Sequence, residues 1–214
     1  MQPTDILRND SAGAWQSIAR HPLCRAMAEA TLPEAKMAAY LVQAHHLATG
    51  AARLLATSGV SAPALTPISE RPEASYFRRA FAALGVPLEA HDAPPEPQTV
   101  RLLDLMETAL RSGHPAQILA VLTAVHWSTL AWAGPLHPPQ DQLPFWMSEW
   151  ITLQGGPEAQ RAVICLCQSL NAAWPDLSTA EQKTVAGLFS QTATAQYAFL
   201  DAAQDDWELT APEA

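Results

Sequence analysis

Apolar residues return at every third or fourth position along most of the chain, and no run shows sustained two-residue alternation with the Val, Ile and Thr enrichment of a strand. This periodicity predicts an all-α fold. Most of the 18 prolines gather between the periodic segments: HPL at 21–23, LPE at 32–34, VSAPALTPISERPE at 60–73, DAPPEPQ at 92–98, GPLHPPQDQLP at 134–144 and WPDLS at 174–178. Proline lacks the amide donor of a helix interior and disfavours helical backbone in the residue before it, so each cluster marks a break. About eight helices remain between the breaks.

The segment PEAKMAAYLVQAHHLATGAARLLATSG is long and central. Pro33 suits its first turn, and Gly59 suits a left-handed cap at its end. Further helices are predicted at roughly 72–85, 98–113, 115–133, 140–154, 157–174 and 178–207, the last opening on Ser178 and Glu181 in capping-box spacing. No repeat of solenoid period occurs, so a single-domain helical bundle over residues 1–214 is expected.

An apolar share of 49% with 15% charged residues is enough for a packed core. The formal charge of −9 without a cluster of Lys or Arg argues against a nucleic-acid surface. MQPTDILRNDSAGAW lacks the basic start and apolar centre of a leader, and no stretch is read as reaching the roughly 20 apolar residues of a membrane span. The expectation is a soluble cytoplasmic protein with no membrane partner. Cys24, Cys165 and Cys167 form no disulfide framework, and a Cys-x-Cys pair on a helix turns its thiols about 200° apart, so they read as small buried apolar residues.

Three blocks occur in a telling order: AWQSIARHPLCRAMAEATLPEAKMAAYLVQAHH, LAVLTAVHWSTLAWAGPL, and FWMSEWITLQGGPEAQRAVICLCQSLN leading into LFSQTATAQYAFLDAAQ. From Ala14 to Ala203 the chain resembles the TenA (thiaminase II) family, with its haem-oxygenase-like fold. The resemblance implies homo-oligomerisation and a central pocket where a cysteine nucleophile and carboxylates act on aminopyrimidines in thiamin salvage. Those positions depart here. The family's YL.QD reads YLVQA, which puts Ala44 in place of a carboxylate. The cysteine of its PCxW helix falls near Val125, beside His126 and Trp127. The glutamate of its E..FWD.A pattern is Gln196, while Phe199, Asp201 and Ala203 match. Without nucleophile and carboxylates, covalent attack and proton transfer are both lost. What remains is a pocket for a small planar metabolite, with Tyr40, Ala44, Leu47, Tyr76, Val125, His126, Trp127, Gln196 and Phe199 as candidate ligand-binding residues and no catalytic residue assigned. Helical geometry puts Tyr40, Leu41, Leu47 and Ala48 on the face of Ala44 and turns His45 and His46 away.

Other chemistries on such a scaffold are a non-haem di-iron oxidase, a PqqC-like redox enzyme, haem binding, and non-catalytic ligand binding or regulation. A di-iron centre needs Asp, Glu and His converging from several helices. His45 and His46 diverge by about 100°. Glu73 is followed at helical spacing by Tyr76 and Phe77, and Asp201 is preceded by Tyr197. His21 is the candidate for a haem ligand, but its place before Pro22 suits a helix boundary. No phosphate loop, nucleophile elbow or zinc motif occurs, so no metal and no cofactor are expected. Trp146 and Trp150 form one stripe suited to a core or subunit interface, whereas Trp127 and Trp132, five apart, need not share a face. Of these, Trp127 is the candidate platform for a planar ligand.

Overall fold

In the computed structural model, which describes residues 1–57, 72–91 and 93–207, the periodic segments are helices and no described residue lies in a strand. The order is α1 (Pro3–Asp10), α2 (Ala12–Ala19), α3 (Pro22–Ala28), α4 (Glu34–Thr57), α5 (Pro72–Ala83), α6 (Leu88–His91), α7 (Pro97–Ser112), α8 (Pro115–Ala133), α9 (Phe145–Gly155), α10 (Pro157–Ala173) and α11 (Thr179–Asp205). Short 3-10 turns at Gly134–Leu136 and Trp174–Asp176 extend α8 and α10.

Local chemistry explains most boundaries. Pro97, Pro115 and Pro157 each occupy a first turn, where the missing amide costs nothing. Gly113 closes α7 at φ +60°, and the Ser178–Glu181 box opens α11. The predicted start of a helix at 140 is corrected to Phe145: the peptide before it is spent on the turn Gln140–Leu143, and Pro144 caps the helix that follows. The cap assigned to Gly59 lies outside the described residues.

α8 organises the packing. PAQILAVLTAVHWSTLAWA carries no charged residue, and twelve of its residues, from Ala116 to Ala133, are buried. A helix apolar on all sides has to be wrapped by others, and α2, α4, α7, α9, α10 and α11 all pack on it. Its extension Pro115–Leu136 is, contrary to the sequence reading, long and apolar enough to span a membrane by length and composition. Its apolarity is used internally, with 67% of that window buried.

Two contacts set helix spacing. A Cβ on Gly155 would lie 2.4 Å from the Ala133 carbonyl oxygen and 2.9 Å from the Gly134 nitrogen, so α9 ends against the bare backbone at the end of α8. At the start of α3, the Nδ1 of His21 accepts the Leu23 amide and caps the helix. That leaves the ring hydrogen on Nε2, which donates to Asp201 of α11 over 3.3 Å. With both nitrogens engaged, His21 is a helix cap and not a haem ligand.

Replacing Gly155 with Ala forces backbone apart, so it should destabilise the fold by about 2–3 kcal/mol and lower Tm by roughly 5–10 °C. Gly187→Ala is the control: its Cβ would meet nothing nearer than Gln191 Nε2 at 3.8 Å, and Tm should hold or rise. Thermal melts of both variants decide this.

His21 supplies a second test. Burial lowers its pKa below the ordinary 6.5, outweighing the pull of Asp201 in the other direction. The unfolded chain therefore takes up a proton that the folded chain resists, and stability should fall as pH drops below about 6.5 toward the folded pKa. His21→Asn keeps a capping acceptor and should flatten that part of the stability profile measured by urea titration.

Candidate functional site

A cavity of about 70 Å³ lies between α4, α8, α9 and α11. Four helix faces build it. α4 contributes Tyr40, Ala44, Leu47, Ala48 and Ala51, a stripe at helical spacing whose three alanines leave the space. α8 presents Val125, His126, Thr129 and Trp132; α9 presents Trp150 and Gln154; α11 presents Gln196, Phe199 and Leu200.

The aromatic wall is fixed by its own contacts. Trp150 donates its indole N–H to the Tyr40 hydroxyl at 3.1 Å, and their rings meet edge to face. Tyr40 also meets Phe199 edge to face at 5.8 Å. Burial pushes the Tyr40 phenol well above its usual range, so its hydroxyl stays protonated at neutral pH. Its oxygen accepts from Trp150, and its own hydrogen has no acceptor among the described residues. Gln196 is 5% exposed, and its amide makes no hydrogen bond to any described residue. Thr129 spends its hydroxyl hydrogen on the His126 carbonyl at 2.9 Å. No Asp, Glu, Lys or Arg lies among the described residues of the wall.

Seven of the nine sequence candidates come together on this wall: Tyr40, Ala44, Leu47, Val125, His126, Gln196 and Phe199. Tyr76 and Trp127 do not. Tyr76 stands behind Trp150, stacked on it at 5.3 Å, and donates its hydroxyl to the Trp146 carbonyl at 2.6 Å. It braces α5 against α9, beside the paired Arg79 and Glu149. Trp127 points from the other side of α8 toward α1 and α10, with the Arg8 guanidinium 4.9 Å above its ring and Trp15 at 5.7 Å. The aromatic platform of α8 is Trp132, five residues on and across the helix.

The histidine pair lies off this wall. His45 packs edge-on against Phe77 and Phe81 of α5, and His46 bonds through Nε2 to the Ala93 carbonyl at 3.1 Å. Leu41 belongs to the core, at 0% exposed. Sequence reasoning passed over Ala51, Thr129, Trp132 and Leu200, although each lies one or two turns from a residue it did select, or beside that turn. Trp150 and Gln154 had no such signal, because nothing in α9 shows which of its faces meets α4.

No cysteine joins the wall. Cys24 is buried on α3 with its thiol pushed upward by burial; Cys167, on α10, is pushed up to about 11 for the same reason. Both stay protonated at neutral pH. Among the described residues no group of three or more His, Cys, Asp or Glu could hold a metal ion. Asp201 turns outward to His21, and the side chain of Glu73 lies outside the described residues.

Comparison with known proteins places this geometry. A model of the TENA/THI-4/PQQC family matches residues 9–206. Among solved structures, a TenA family transcription regulator from Silicibacter sp. superposes with a TM-score of 0.81 at 18% identity, covering 95% of this chain and 97% of its own. A TenA homologue from P. horikoshii gives 0.77 at 21%, covering 95% and 98%. A domain of unknown function with a heme oxygenase-like fold from Shewanella denitrificans gives 0.65 at 17%, covering 95% and 92%. No curated protein matches significantly.

The donor set yields one expectation about metals. With His45 and His46 turned away and Tyr76 and Tyr197 standing where ligands would be needed, the purified protein should carry no stoichiometric iron. Elemental analysis measures it, and iron near two atoms per chain, lost in Asp201→Ala, would establish the oxidase reading instead.

Proposed function

Because the chain belongs to the TENA/THI-4/PQQC family, we propose that it is a divergent TenA-like protein whose central cavity binds a small planar metabolite without thiaminase II hydrolysis. One observation carries this reading. Ala44, Val125 and Gln196, the positions where the family resemblance implies a carboxylate, the cysteine nucleophile and a second carboxylate, share one cavity wall here. The scaffold therefore brings together three side chains that can neither attack carbon nor exchange a proton near neutral pH. The cavity is walled by rings that suit a flat ligand, between helices of a bundle where small-molecule sites are common. In this reading the chain works in the cytoplasm, as one helical domain, by holding a ligand.

Non-catalytic binding is favoured over a relocated hydrolytic site by the cysteines. Cys24, Cys165 and Cys167 are all off the wall, so no thiol stands within the cavity to replace the missing nucleophile. Wild-type protein and Ala44→Asp should both fail to hydrolyse thiamin or aminopyrimidines above the uncatalysed rate, since one carboxylate restores no nucleophile. Turnover should emerge only in the triple variant Ala44→Asp, Val125→Cys, Gln196→Glu. Hydrolysis by the wild type, abolished by His126→Ala and untouched by a distant surface change, would show an alternative catalytic apparatus and end this reading.

A further inference from the structure

Trp127, the aromatic residue that the sequence marks as a platform, lines a different space. On the far face of α8, a groove of about 430 Å³ runs between α1, α8 and α10. Small molecules are held in volumes of roughly 300–1,000 Å³, often between helices. α10 turns a whole face to this groove: Gln160, Val163, Ile164, Cys167, Gln168 and Asn171 alternate in steps of three and one, the spacing of a single helical stripe. α8 adds Trp127 and Leu130, three apart, and the first turn of α1 adds Thr4 and Asp5. Ile164 is 55% exposed although Val163 beside it is buried, so the groove keeps aliphatic surface in water that an occupant would cover.

The polar groups of the groove are used within the fold. The Thr4 amide donates to Asn171 Oδ1 at 2.9 Å and ties α1 to α10. The Gln160 side-chain amide donates to the Gly155 carbonyl at 3.2 Å, and the Asp5 carboxylate accepts the Gln2 amide at 3.1 Å. Thr4 and Cys167 share a side-chain hydrogen bond. What the groove offers is therefore mainly apolar contact. The Trp127 ring is held in place for it by Trp15 at 5.7 Å and by the Arg8 guanidinium, 4.9 Å from the ring centre.

Charge and size narrow the occupant. No Lys or Arg is among the described residues that line the groove, Asp5 stands on its wall, and the chain carries a formal charge of −9, so an anion finds no counter-charge there. A cation stacked on Trp127 would meet the guanidinium already placed over that ring. A second copy of the chain is the other candidate occupant. Eleven described residues line the groove, whereas a stable interface takes roughly 20–30 residues a side, so the groove has the extent of a small-molecule site.

We propose that the groove between α1, α8 and α10 is a second binding site, for an uncharged aromatic molecule packed on Trp127 and Ile164. α8 separates it from the central cavity, with Val125, Thr129 and Trp132 on one face and Trp127 and Leu130 on the other. The two sites are independent, and this one stands whether or not the central cavity takes a ligand.

N-Phenyl-1-naphthylamine, an uncharged probe that fluoresces on leaving water, tests the site beside 8-anilinonaphthalene-1-sulfonate, which adds a sulfonate to the same rings. Titrated into the intact chain, the uncharged probe should saturate at micromolar concentration and bind at least about fivefold more tightly than the sulfonate, whose charge has no partner in the groove. Ile164→Glu sets a carboxylate on the exposed wall and should weaken the uncharged probe at least about tenfold, with helical circular dichroism unchanged. Ile164→Ala, which removes apolar surface without adding charge, should weaken it about threefold. Arg161→Ala changes the same helix outside the groove, where Arg161 pairs with Glu158, and should leave binding as it was. Sedimentation velocity should show the same species for wild type and Ile164→Glu. No saturable binding, equal or tighter binding of the sulfonate, or undiminished binding by Ile164→Glu overturns the proposal. So does a wild-type oligomer that Ile164→Glu disperses, which would make the groove an interface between copies.

Discussion

A helix with no polar face must sit where it meets no water, and α8 imposes that requirement on the rest of the chain. Six other helices pack on it, and their own patterns answer to its surface: the amphipathic ones turn their apolar sides inward, and α9 gives up a side chain at Gly155 to end against its backbone. The cavity is a consequence of the same constraint. Where α4 passes α8 it presents Ala44, Ala48 and Ala51, side chains too short to reach Val125 and Thr129, and the shortfall is left as space. Larger residues at those positions would have filled the gap and gained burial energy, roughly 25 cal/mol per Å² of apolar surface. Space in the core therefore comes at some cost to stability.

The parts of this architecture that depend on local chemistry were legible in the sequence. Helical periodicity identified the fold class; prolines and the Ser178 box located the breaks; Ala44, Val125 and Gln196, singled out against the family pattern, line the same cavity. What depended on the relation between helices was not legible. Trp150 and Tyr76 are both buried aromatics near the right position, yet only the stacking order of α5 behind α9 decides that one faces the cavity and the other braces it. Trp127 and Trp132 pose the same problem within α8: a helix without a charged residue gives no polar face from which to tell the two orientations apart. Its uniform apolarity also defeated the sequence reading of a membrane span, since composition alone does not distinguish a wrapped core helix from a lipid-facing one.

The residues that match the family pattern and those that depart from it divide along a physical line. Asp201 matches, and its work is mechanical: it receives the hydrogen of His21, the residue that caps α3, and so ties α3 to α11. Phe199 matches, and it packs against Tyr40 and Trp207. Ala44, Val125 and Gln196 line the cavity, and the hydrogen bonds that Ser128 and Thr129 give to Val125 go to its backbone carbonyl and not to its side chain. Substitution at such positions changes what the space can hold while leaving the helices where they were. All three side chains are uncharged, and a buried charge at such a position without its partner would destabilise the fold. With no Asp, Glu, Lys or Arg among the described residues of the wall, the described cavity surface carries no buried carboxylate, ammonium or guanidinium whose desolvation the fold would have to offset.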